Sequence, residues 1–340
     1  MNISVALCTY NGEKFLREQL DSIAAQTLLP YELVVCDDLS RDGTLEILAA
    51  FAERVSFPVH VHRNETNLGS TRNFEKAISL CQGEVIALSD QDDLWRPHKL
   101  ARLAEVLRAN PGAGYVFTDA ELVDENLRPL GRRLWETIGF GKDLQARFVG
   151  DEQFHLFLGQ HIVTGATMAF PARIGRMAMP FPTSGNWIHD GWIALFASAA
   201  GFPGVAVDEA LIAYRQHAAQ QIGAPDEPLT RGKGKQSLWR MYQDLQERQQ
   251  VLFQAWEKNC RQIIAVQGIL RQIREKHPSA ALDRNLNYLQ AYETHYLARR
   301  QILTSKKGWG RCWRVLREAL SGRYGEFSDS WRSVCRDLFL

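Results

Sequence analysis

The stretch EVIALSDQDDLW, residues 84–95, starts as a strand and ends in a cluster of acids. Its apolar segment, residues 85–88, has the length and composition of a short buried strand. Asp90, Asp92 and Asp93 then bring three carboxylates to the end of that strand. Because like charges held close together repel, this arrangement is costly unless a positive group or water lies beside it. A cation or solvent is therefore expected at the end of this strand.

Residues 3–118 alternate β-rich runs with helical patterns. The β-rich runs are ISVALC (3–8), YELVVC (31–36), PVHVH (58–62), EVIALS (84–89) and GYVFT (114–118). Between these runs, apolar residues recur at helical spacing. Repeated strand–helix–strand units predict an α/β, Rossmann-like fold with a mostly parallel sheet and helices on both faces.

Polar loops follow the first four of these strands. Their sequences are CTYNGE, CDDLSRDGT, NETNLGSTRN and SDQDD. Because ligands of parallel sheets bind beyond the C-terminal strand ends, we expect the four loops to meet at one binding edge. The glycine-rich motifs of dinucleotide-binding and phosphate-loop folds are missing from the sequence, so those two classes lose their main support.

Composition and charge exclude several function classes. The 340 residues carry 40 basic and 39 acidic side chains, a balance that gives no support for a nucleic-acid partner. The six cysteines lack a C-x-x-C pair or a zinc spacing, which favours a reducing compartment. The first residues lack the basic segment and long apolar run of a signal sequence. A cytoplasmic protein is expected.

The rest of the chain divides into three parts. Residues 144–215 are less regular, with a strand expected at 161–171 and a turn running into an apolar helix at 187–201. Residues 223–236 are rich in Gly, Pro and charge, which is typical of a linker. We therefore predict a catalytic and ligand-binding domain at 1–222, the linker, and a C-terminal helical region at 237–340.

The acid cluster allows two interpretations. Carboxylates on alternate residues, Asp90 and Asp92, can bind Mg²⁺ or Mn²⁺ and leave coordination sites for phosphate oxygens. The alternative is a solvated turn that caps the following helix, with Trp95 and Pro97 shaping its entry. The place of Asp90, Gln91 and Asp92 at the expected binding edge favours the metal.

A second acidic pair, Asp37 and Asp38, ends the second strand. A carboxylate at this edge can accept a hydrogen bond from the imide N–H of uracil or thymine, which cytosine lacks. The same run also has the composition of a turn and a helix start. In the third loop, Arg72 can meet a base or a phosphate, although an arginine near a helix start is more often a surface residue.

Asp190 and His217 are the remaining candidates. Asp190 lies in WIHDGW, where the apolar neighbours partly desolvate the acid and favour its action as a general base. Its alternative role is to cap the apolar helix that follows. His217 follows a predicted strand that ends near Tyr214, and a lone histidine is usually structural or exposed.

Together, these motifs resemble the family 2 glycosyltransferases of the GT-A fold. The resemblance rests on ALCTYNGEKFLREQLDSIAAQT, ELVVCDDLSRDGT, NLGSTRNFEKAI, GEVIALSDQDDLWRPHKL and HDGW, in that order, and covers about residues 1–217. The combination of SDQDDLW with YRQHAAQQIG is similar to rhamnosyltransferase-type members that build bacterial surface polysaccharides.

The resemblance implies a role for each candidate. Asp90 and Asp92 match the D-x-D motif that holds a metal ion, Mn²⁺ or Mg²⁺, and His217 matches the histidine that completes the metal shell. Asp38, with Asp37 beside it, matches the acid that contacts the nucleotide base.

Further donor-binding residues are implied in the first loop, the third loop and the D-x-D segment: Thr9, Tyr10, Asn11, Arg72, Asp90 and Gln91. Asp190 matches the catalytic base, which usually follows a glutamate. In this chain the preceding residue is His189. This departure leaves the base in place but puts in doubt how the donor or acceptor is held.

The resemblance thus implies a metal-dependent, inverting transfer of a sugar. The donor is a nucleoside diphosphate sugar, with dTDP-rhamnose or another dTDP- or UDP-sugar expected, and the acceptor is a hydroxyl of a glycan or a lipid-linked saccharide. The alternatives are a nucleotidyltransferase, which would need a basic Gly-rich loop after the first strand, and a non-catalytic scaffold that binds glycan or a partner transferase.

The C-terminal region lies beyond the resemblance. Trp309, Cys312, Trp313, Leu316 and Leu320 fall on one helical face, with lysine and arginine crowding the other side. This pattern is typical of a helix that lies on an anionic bilayer, here the cytoplasmic face of the inner membrane. Packing against a partner helix or against the catalytic domain is the alternative explanation. The longer helices at 239–273 could equally make a homodimer contact.

Overall fold

The computed structural model describes residues 1–150, 152–182, 187–218, 220, 238–305, 308–328 and 330–339, with the backbone alone at 238–253, 255, 259, 330–332, 336 and 339. The predicted linker at 223–236 lies outside the described residues. The chain divides into two compact units, Met1–Gly232 and Lys233–Leu340. Among the helices described, none combines the length and the apolar character that crossing a membrane requires.

Strands and helices alternate through the first unit, and helices make up the second. The strands are β1 (Ile3–Thr9), β2 (Glu32–Asp37), β3 (Val59–Arg63), β4 (Val85–Ser89), β5 (Leu94–Trp95), β6 (Tyr115–Val123), β7 (Pro129–Arg133), β8 (Met168–Pro171) and β9 (Gly204–Arg215). The helices of the first unit are α1 (Leu16–Ala24), α2 (Thr44–Arg54), α3 (Ser70–Leu80), α4 (Lys99–Ala109), α5 (Leu134–Thr137), α6 (Lys142–Arg147), α7 (Glu152–Phe157), α8 (Ala172–Met177) and α9 (His189–Ala199). Those of the second unit are α10 (Leu238–Lys276), α11 (Ala280–Thr304), α12 (Trp309–Leu320), α13 (Arg323–Phe327) and α14 (Ser330–Phe339).

The first four strands run parallel in the order β3-β2-β1-β4. Each is followed by a helix or by the acid loop, as the alternating sequence pattern predicts. The ladder aligns Thr9 with Asp37 and Leu7 with Ser89, so the loops after β1, β2 and β4 leave the sheet at one edge. The α/β prediction is confirmed for this half, and these loops meet at one edge as expected.

The second half of the sheet is mixed. Within the described residues one sheet of nine strands continues as β8-β6-β9-β5, with β8 antiparallel to both β4 and β6, and β6 parallel to β9. The strand expected at 161–171 is limited to β8, because Gly165–Thr167 form a 3₁₀ turn. The Gly165 N–H donates to the Asp190 carboxylate instead of to a neighbouring strand.

A short antiparallel ladder between β5 and β9 decides the position of the acid loop. It pairs Leu94 with Ala213 and Trp95 with Ile212. The loop at 90–93 immediately precedes β5. Arg215 is the last residue of β9, and His217 follows two positions later. The ladder therefore brings together two segments that lie more than a hundred residues apart in the chain.

Helix α9 packs entirely inside the first unit. Every one of its residues, from His189 to Ala199, is buried. A helix that is apolar all round belongs in a core, and this one carries Asp190 in its first turn. The expected turn and apolar helix at 187–201 are therefore confirmed, and Asp190 has a rigid support.

Candidate active site

Asp92 and His217 meet at the edge of the sheet. The Nε2 atom of His217 lies 2.9 Å from Oδ2 of Asp92, and both side chains are largely buried. The neighbouring Asp93 is completely buried, and its Oδ1 accepts the backbone N–H of Arg215 at 3.1 Å. Two residues that the sequence analysis selected for the same site are thus in contact.

Negative charge is concentrated around Asp90. Burial, together with the charges of Asp92 and Asp190, raises the pKa of Asp90 to about 7. Burial and the charges of Asp92 and Asp90 also raise the pKa of Asp93. The influence of Asp190 on Asp90 places the candidate base and the acid loop in one electrostatic environment.

Lys99 is a buried cation beside this cluster. Its Nζ donates to the carbonyl of Ala166 at 2.6 Å and lies 3.6 Å from the centroid of the Trp95 ring. Burial lowers the pKa of Lys99 to about 7, while the charges of Asp93 and Asp90 oppose that change. Lys99 therefore offsets only part of the negative charge of the acid loop.

The chemistry of this donor set fits a divalent metal. Carboxylate oxygens with one imidazole nitrogen are ligands that Mn²⁺ accepts, and carboxylates alone suit Mg²⁺. Within the described part of the chain, no three His, Cys, Asp or Glu side chains are already assembled as a metal-binding group. Two of the candidate metal ligands, Asp92 and His217, are in contact in this structure.

Gln91 connects the acid loop to the loop after β1. Its Oε1 accepts the N–H of Tyr10 at 2.9 Å, and its Nε2 donates to the Tyr10 carbonyl at 3.1 Å. A Cβ on Gly12 would lie 2.3 Å from Gln91 Oε1, so this close approach requires glycine. The Tyr10 ring is exposed at this edge, where a flat ligand can stack on it.

The loop after β2 is held by its own carboxylates. Asp37 has no exposed surface: it accepts the Thr9 hydroxyl at 3.0 Å, the Ser40 N–H at 3.0 Å and the Ser40 hydroxyl. In this structure Asp37 and the buried Thr9 therefore support the loop. Asn11 joins the same loops, because its N–H donates to Ser40 Oγ at 2.9 Å.

Asp38 organises the loop after β3. Its oxygens accept N–H groups from Asn64, Leu68 and Gly69 at 2.8, 2.7 and 2.9 Å. A carboxylate can accept about four hydrogen bonds, so one further donor can still be accommodated. Arg72, on the first turn of α3, forms an ion pair with Glu75 of the same helix.

Asp190 is held by two glycines. Oδ2 accepts the Gly165 N–H at 2.7 Å and Oδ1 accepts the Gly191 N–H at 2.6 Å. These bonds fix the direction of a buried carboxylate. The adjacent His189 points elsewhere and stacks on the Phe74 ring with centroids 3.9 Å apart. Burial lowers the pKa of His189, so its imidazole is neutral near pH 7.

Residues 4–166 match the family model described as Glycosyl transferase family 2. That segment contains the parallel half of the sheet, the acid loop and the Gly165 turn. Residues 4–166 are a glycosyl transferase family 2 domain.

Relatives are identical to this family 2 domain at roughly a third of the positions in the matched segment. The uncharacterized glycosyltransferase alr2836 of Nostoc sp. is 32% identical over 126 residues, which are 37% of this chain and 38% of that protein. TuaG of Bacillus subtilis, whose name assigns it provisionally to teichuronic acid biosynthesis, is 30% identical over 130 residues, 38% of this chain and 51% of TuaG. The matched segment therefore spans about two fifths to a half of these relatives.

Two solved structures share the fold of the chain. Staphylococcus aureus TarS 1–349 in complex with UDP-GlcNAc has a TM-score of 0.51 at 16% identity, covering 96% of this chain and 84% of TarS. The Pyrobaculum calidifontis mannosyltransferase in complex with GDP-Man and Mn²⁺ has a TM-score of 0.50 at 17% identity, covering 99% of this chain and 84% of that one. The chain thus has a GT-A type α/β fold with a C-terminal helical region.

Sequence reasoning missed Arg215, which connects four segments of this family 2 site. Its Nε donates to the Asp92 carbonyl at 2.7 Å and its Nη1 donates to the Glu125 carbonyl at 2.5 Å. The guanidinium also pairs with Glu18 and lies 4.5 Å above the Phe15 ring.

Two features of the sequence could have indicated that Arg215 and Lys99 belong to the site. The apolar strand LIAYR ends in a charged residue, Arg215, two positions before His217. Lys99 follows the acid loop in RPHKL, at the start of α4.

We predict that Arg215→Met lowers the free energy of unfolding by about 3 kcal/mol, because the carbonyls of Asp92 and Glu125 and the Glu18 carboxylate lose a buried donor. Urea unfolding followed by circular dichroism measures the change. Arg17→Met, an exposed arginine on α1, is the matched control and should change stability by less than about 0.5 kcal/mol. Equal effects of the two substitutions would refute the role of Arg215.

We also predict that Asp90→Asn stabilises the metal-free protein, and more so at high pH. The raised pKa means that ionising Asp90 costs free energy in the folded state, a cost that is absent below its ordinary pKa of 3.8 and complete above about 7. The gain should be about 3 kcal/mol greater at pH 8 than at pH 5. Urea unfolding in EDTA at pH 5 and pH 8 measures the gain in stability. Asp143→Asn, at an exposed position, is the control. A gain that does not change with pH would contradict the prediction.

Proposed function

We propose that the chain is a metal-dependent, inverting glycosyltransferase that moves a sugar from a nucleoside diphosphate to a hydroxyl group. The main support is the meeting of Asp92 with His217, beside Asp90 and within the electrostatic influence of Asp190. The family 2 domain at residues 4–166 contains the donor-side loops of this arrangement. TuaG, the relative named for teichuronic acid biosynthesis, supports a role in bacterial surface polysaccharide synthesis.

Asp90, Asp92 and His217 are the residues that would hold the divalent cation, Mn²⁺ or Mg²⁺. When bound, such an ion neutralises charge that develops on a leaving diphosphate. Burial, and then repulsion by neighbouring carboxylates, raises the pKa values of Asp90 and Asp93, and a cation beside them would stabilise their ionised forms. Arg215 would keep the Asp92 backbone in place during the exchange of substrate and product.

The loops after β1, β2 and β3 would bind the nucleotide. The exposed Tyr10 ring offers a stacking surface, with Gln91 and Asn11 holding its loop. Asp38 would accept the imide N–H of uracil or thymine in addition to its loop contacts. Arg72 would approach the base or a phosphate after leaving Glu75. We propose a dTDP- or UDP-sugar as donor, with dTDP-rhamnose as the first candidate.

Asp190 would act as the general base. Its two oxygens are oriented by the N–H groups of Gly165 and Gly191, and each retains a lone pair for the proton of an acceptor hydroxyl. Removal of that proton lets the acceptor oxygen attack the anomeric carbon while the bond to the diphosphate breaks. A single displacement inverts the configuration and needs no carboxylate nucleophile.

The proposed acceptor is a glycan or a lipid-linked saccharide. The enzyme would then work in the cytoplasm or at the cytoplasmic face of the inner membrane. Nucleic acid is not expected as a partner, because 40 basic residues are balanced by 39 acidic ones. A homodimer through the long helices of the second unit is a further proposal that sedimentation analysis can test.

For donor binding we predict metal dependence that requires Asp92. Calorimetric titration with dTDP, UDP and GDP, each with and without Mn²⁺, should show binding only with metal and strongest for dTDP. Asp92→Asn should weaken it at least about tenfold, whereas Asp143→Asn should leave it unchanged. Preference for UDP would remove the rhamnosyl assignment, and no nucleotide binding by folded protein would favour a non-catalytic scaffold.

For transfer we predict that Asp190→Asn lowers kcat by a factor of about 10² to 10⁴ and leaves donor binding intact. The asparagine can still accept one of the two glycine N–H bonds, so the fold should persist. Transfer is measured with a radiolabelled sugar nucleotide and membrane-derived acceptor, and the titration above reports donor binding. Full transfer activity in Asp190→Asn would show that the base is another residue.

A further inference from the structure

Helix α12 packs with charged residues turned inward. Arg311 and Glu318 are buried together with Val315, all on one side of the helix. Amphipathic helices in soluble proteins normally turn their apolar side to the core and their charged side to water. In α12 this arrangement is reversed.

Specific ion pairs and hydrogen bonds keep α12 in this orientation. Arg311 Nε donates to the backbone carbonyl of Asp337 at 2.8 Å. Glu318 lies 2.8 Å from Nδ1 of His295 and accepts two bonds from Arg323 at 2.7 and 2.6 Å. Rotating the helix to bury its apolar side would leave these buried charges without partners, which is strongly unfavourable.

Four large apolar side chains form the opposite side, which we call the apolar stripe: Trp309, Trp313, Leu316 and Leu320. Their exposed fractions are 92%, 67%, 49% and 79%. The spacing of four, three and four residues places them on one narrow face of the helix. Exposed tryptophans in such a row are unusual for a surface in contact with water only, and mark an interaction site.

We propose that the apolar stripe is an interfacial anchor that seats the second unit on an anionic lipid bilayer. Tryptophan is favoured at the boundary between headgroups and acyl chains, because its ring is apolar and its N–H is polar. A three-turn helix that lies in the membrane plane buries such a stripe in that boundary.

The charge beside the stripe supports a lipid partner. The exposed Arg317 lies on its flank, and among the described residues it has no carboxylate partner. In the sequence Lys306 and Lys307 directly precede the helix. Each basic side chain near an anionic surface contributes about 1 kcal/mol of attraction. This combination of aromatic, aliphatic and basic side chains is complementary to an anionic membrane surface.

A second copy of the chain is a weaker occupant for the stripe. Twelve helical residues extend about 18 Å, and a stripe about 10 Å wide presents roughly 200 Å². Stable dimers bury about 800 Å² on each partner. The flanking arginines would also face each other across a symmetric contact, where like charges repel.

Vesicle sedimentation with the full chain tests the proposal without nucleotide or acceptor. The vesicles are phosphatidylcholine alone and phosphatidylcholine with about one third phosphatidylglycerol. We expect binding to the anionic vesicles that weakens at high salt. The triple variant Trp309→Ser/Trp313→Ser/Leu320→Ser should bind at least about tenfold more weakly, and Arg317→Gln should weaken the preference for anionic lipid.

Matched controls make the outcome decisive. Leu29→Ser/Leu130→Ser replaces exposed leucines on other surfaces and should bind vesicles like the original chain. If the triple variant does not fold, Trp309→Ser alone, at the most exposed position, replaces it. No binding by the original chain, equal binding by the stripe variant, or a dimer that the stripe variant dissolves would each overturn the proposal. Because nucleotide titration is a separate measurement, failure here leaves the transferase assignment standing.

Discussion

The electrostatic cost of the acid loop is the constraint on which the first unit depends. Two like charges about 4 Å apart repel by about 4 kcal/mol at an effective dielectric constant of 20, and Asp90, Asp92 and Asp93 stand within four residues of one another. Arg215 and Lys99 bring two buried positive charges toward this loop. Burial, together with the neighbouring carboxylates, raises the pKa values of Asp90 and Asp93. These raised values support the proposal that a cation binds at this loop.

The second half of the sheet holds the acid loop in place. The β5–β9 ladder delivers Arg215 and His217 to the acids, and the 3₁₀ turn at Gly165 supplies an N–H to Asp190 and, through Ala166, a carbonyl to Lys99. Both elements depart from a regular parallel sheet. Such departures at the binding edge are expected where function requires side chains that ordinary crossovers would not bring together.

In the second unit, buried charged side chains likewise fix the orientation of one element, the helix α12. Its buried Arg311 and Glu318 give α12 one orientation, just as Arg215 gives the acid loop one position. In both places, burying a charge with specific partners costs desolvation and gains a defined geometry. For α12 the result is an outward apolar stripe, and for the acid loop it is a carboxylate in contact with an imidazole.

Local pattern was sufficient for the alternating strands and helices up to β4, for the apolar helix α9, and for selecting Asp90, Asp92 and Asp190 as candidates, whereas His217 was selected through the resemblance to family 2. These features depend on side-chain period and on chemistry carried by neighbouring residues, both of which a sequence displays directly. The contact of Asp92 with His217, the loop-supporting role of Asp37 and the function of Arg215 depend on strand pairing across more than a hundred residues. The inward side of α12 depends on partners in α11, α13 and α14. Only the tertiary structure decides such features, because the free energy of a buried charge is set by the groups that surround it in space.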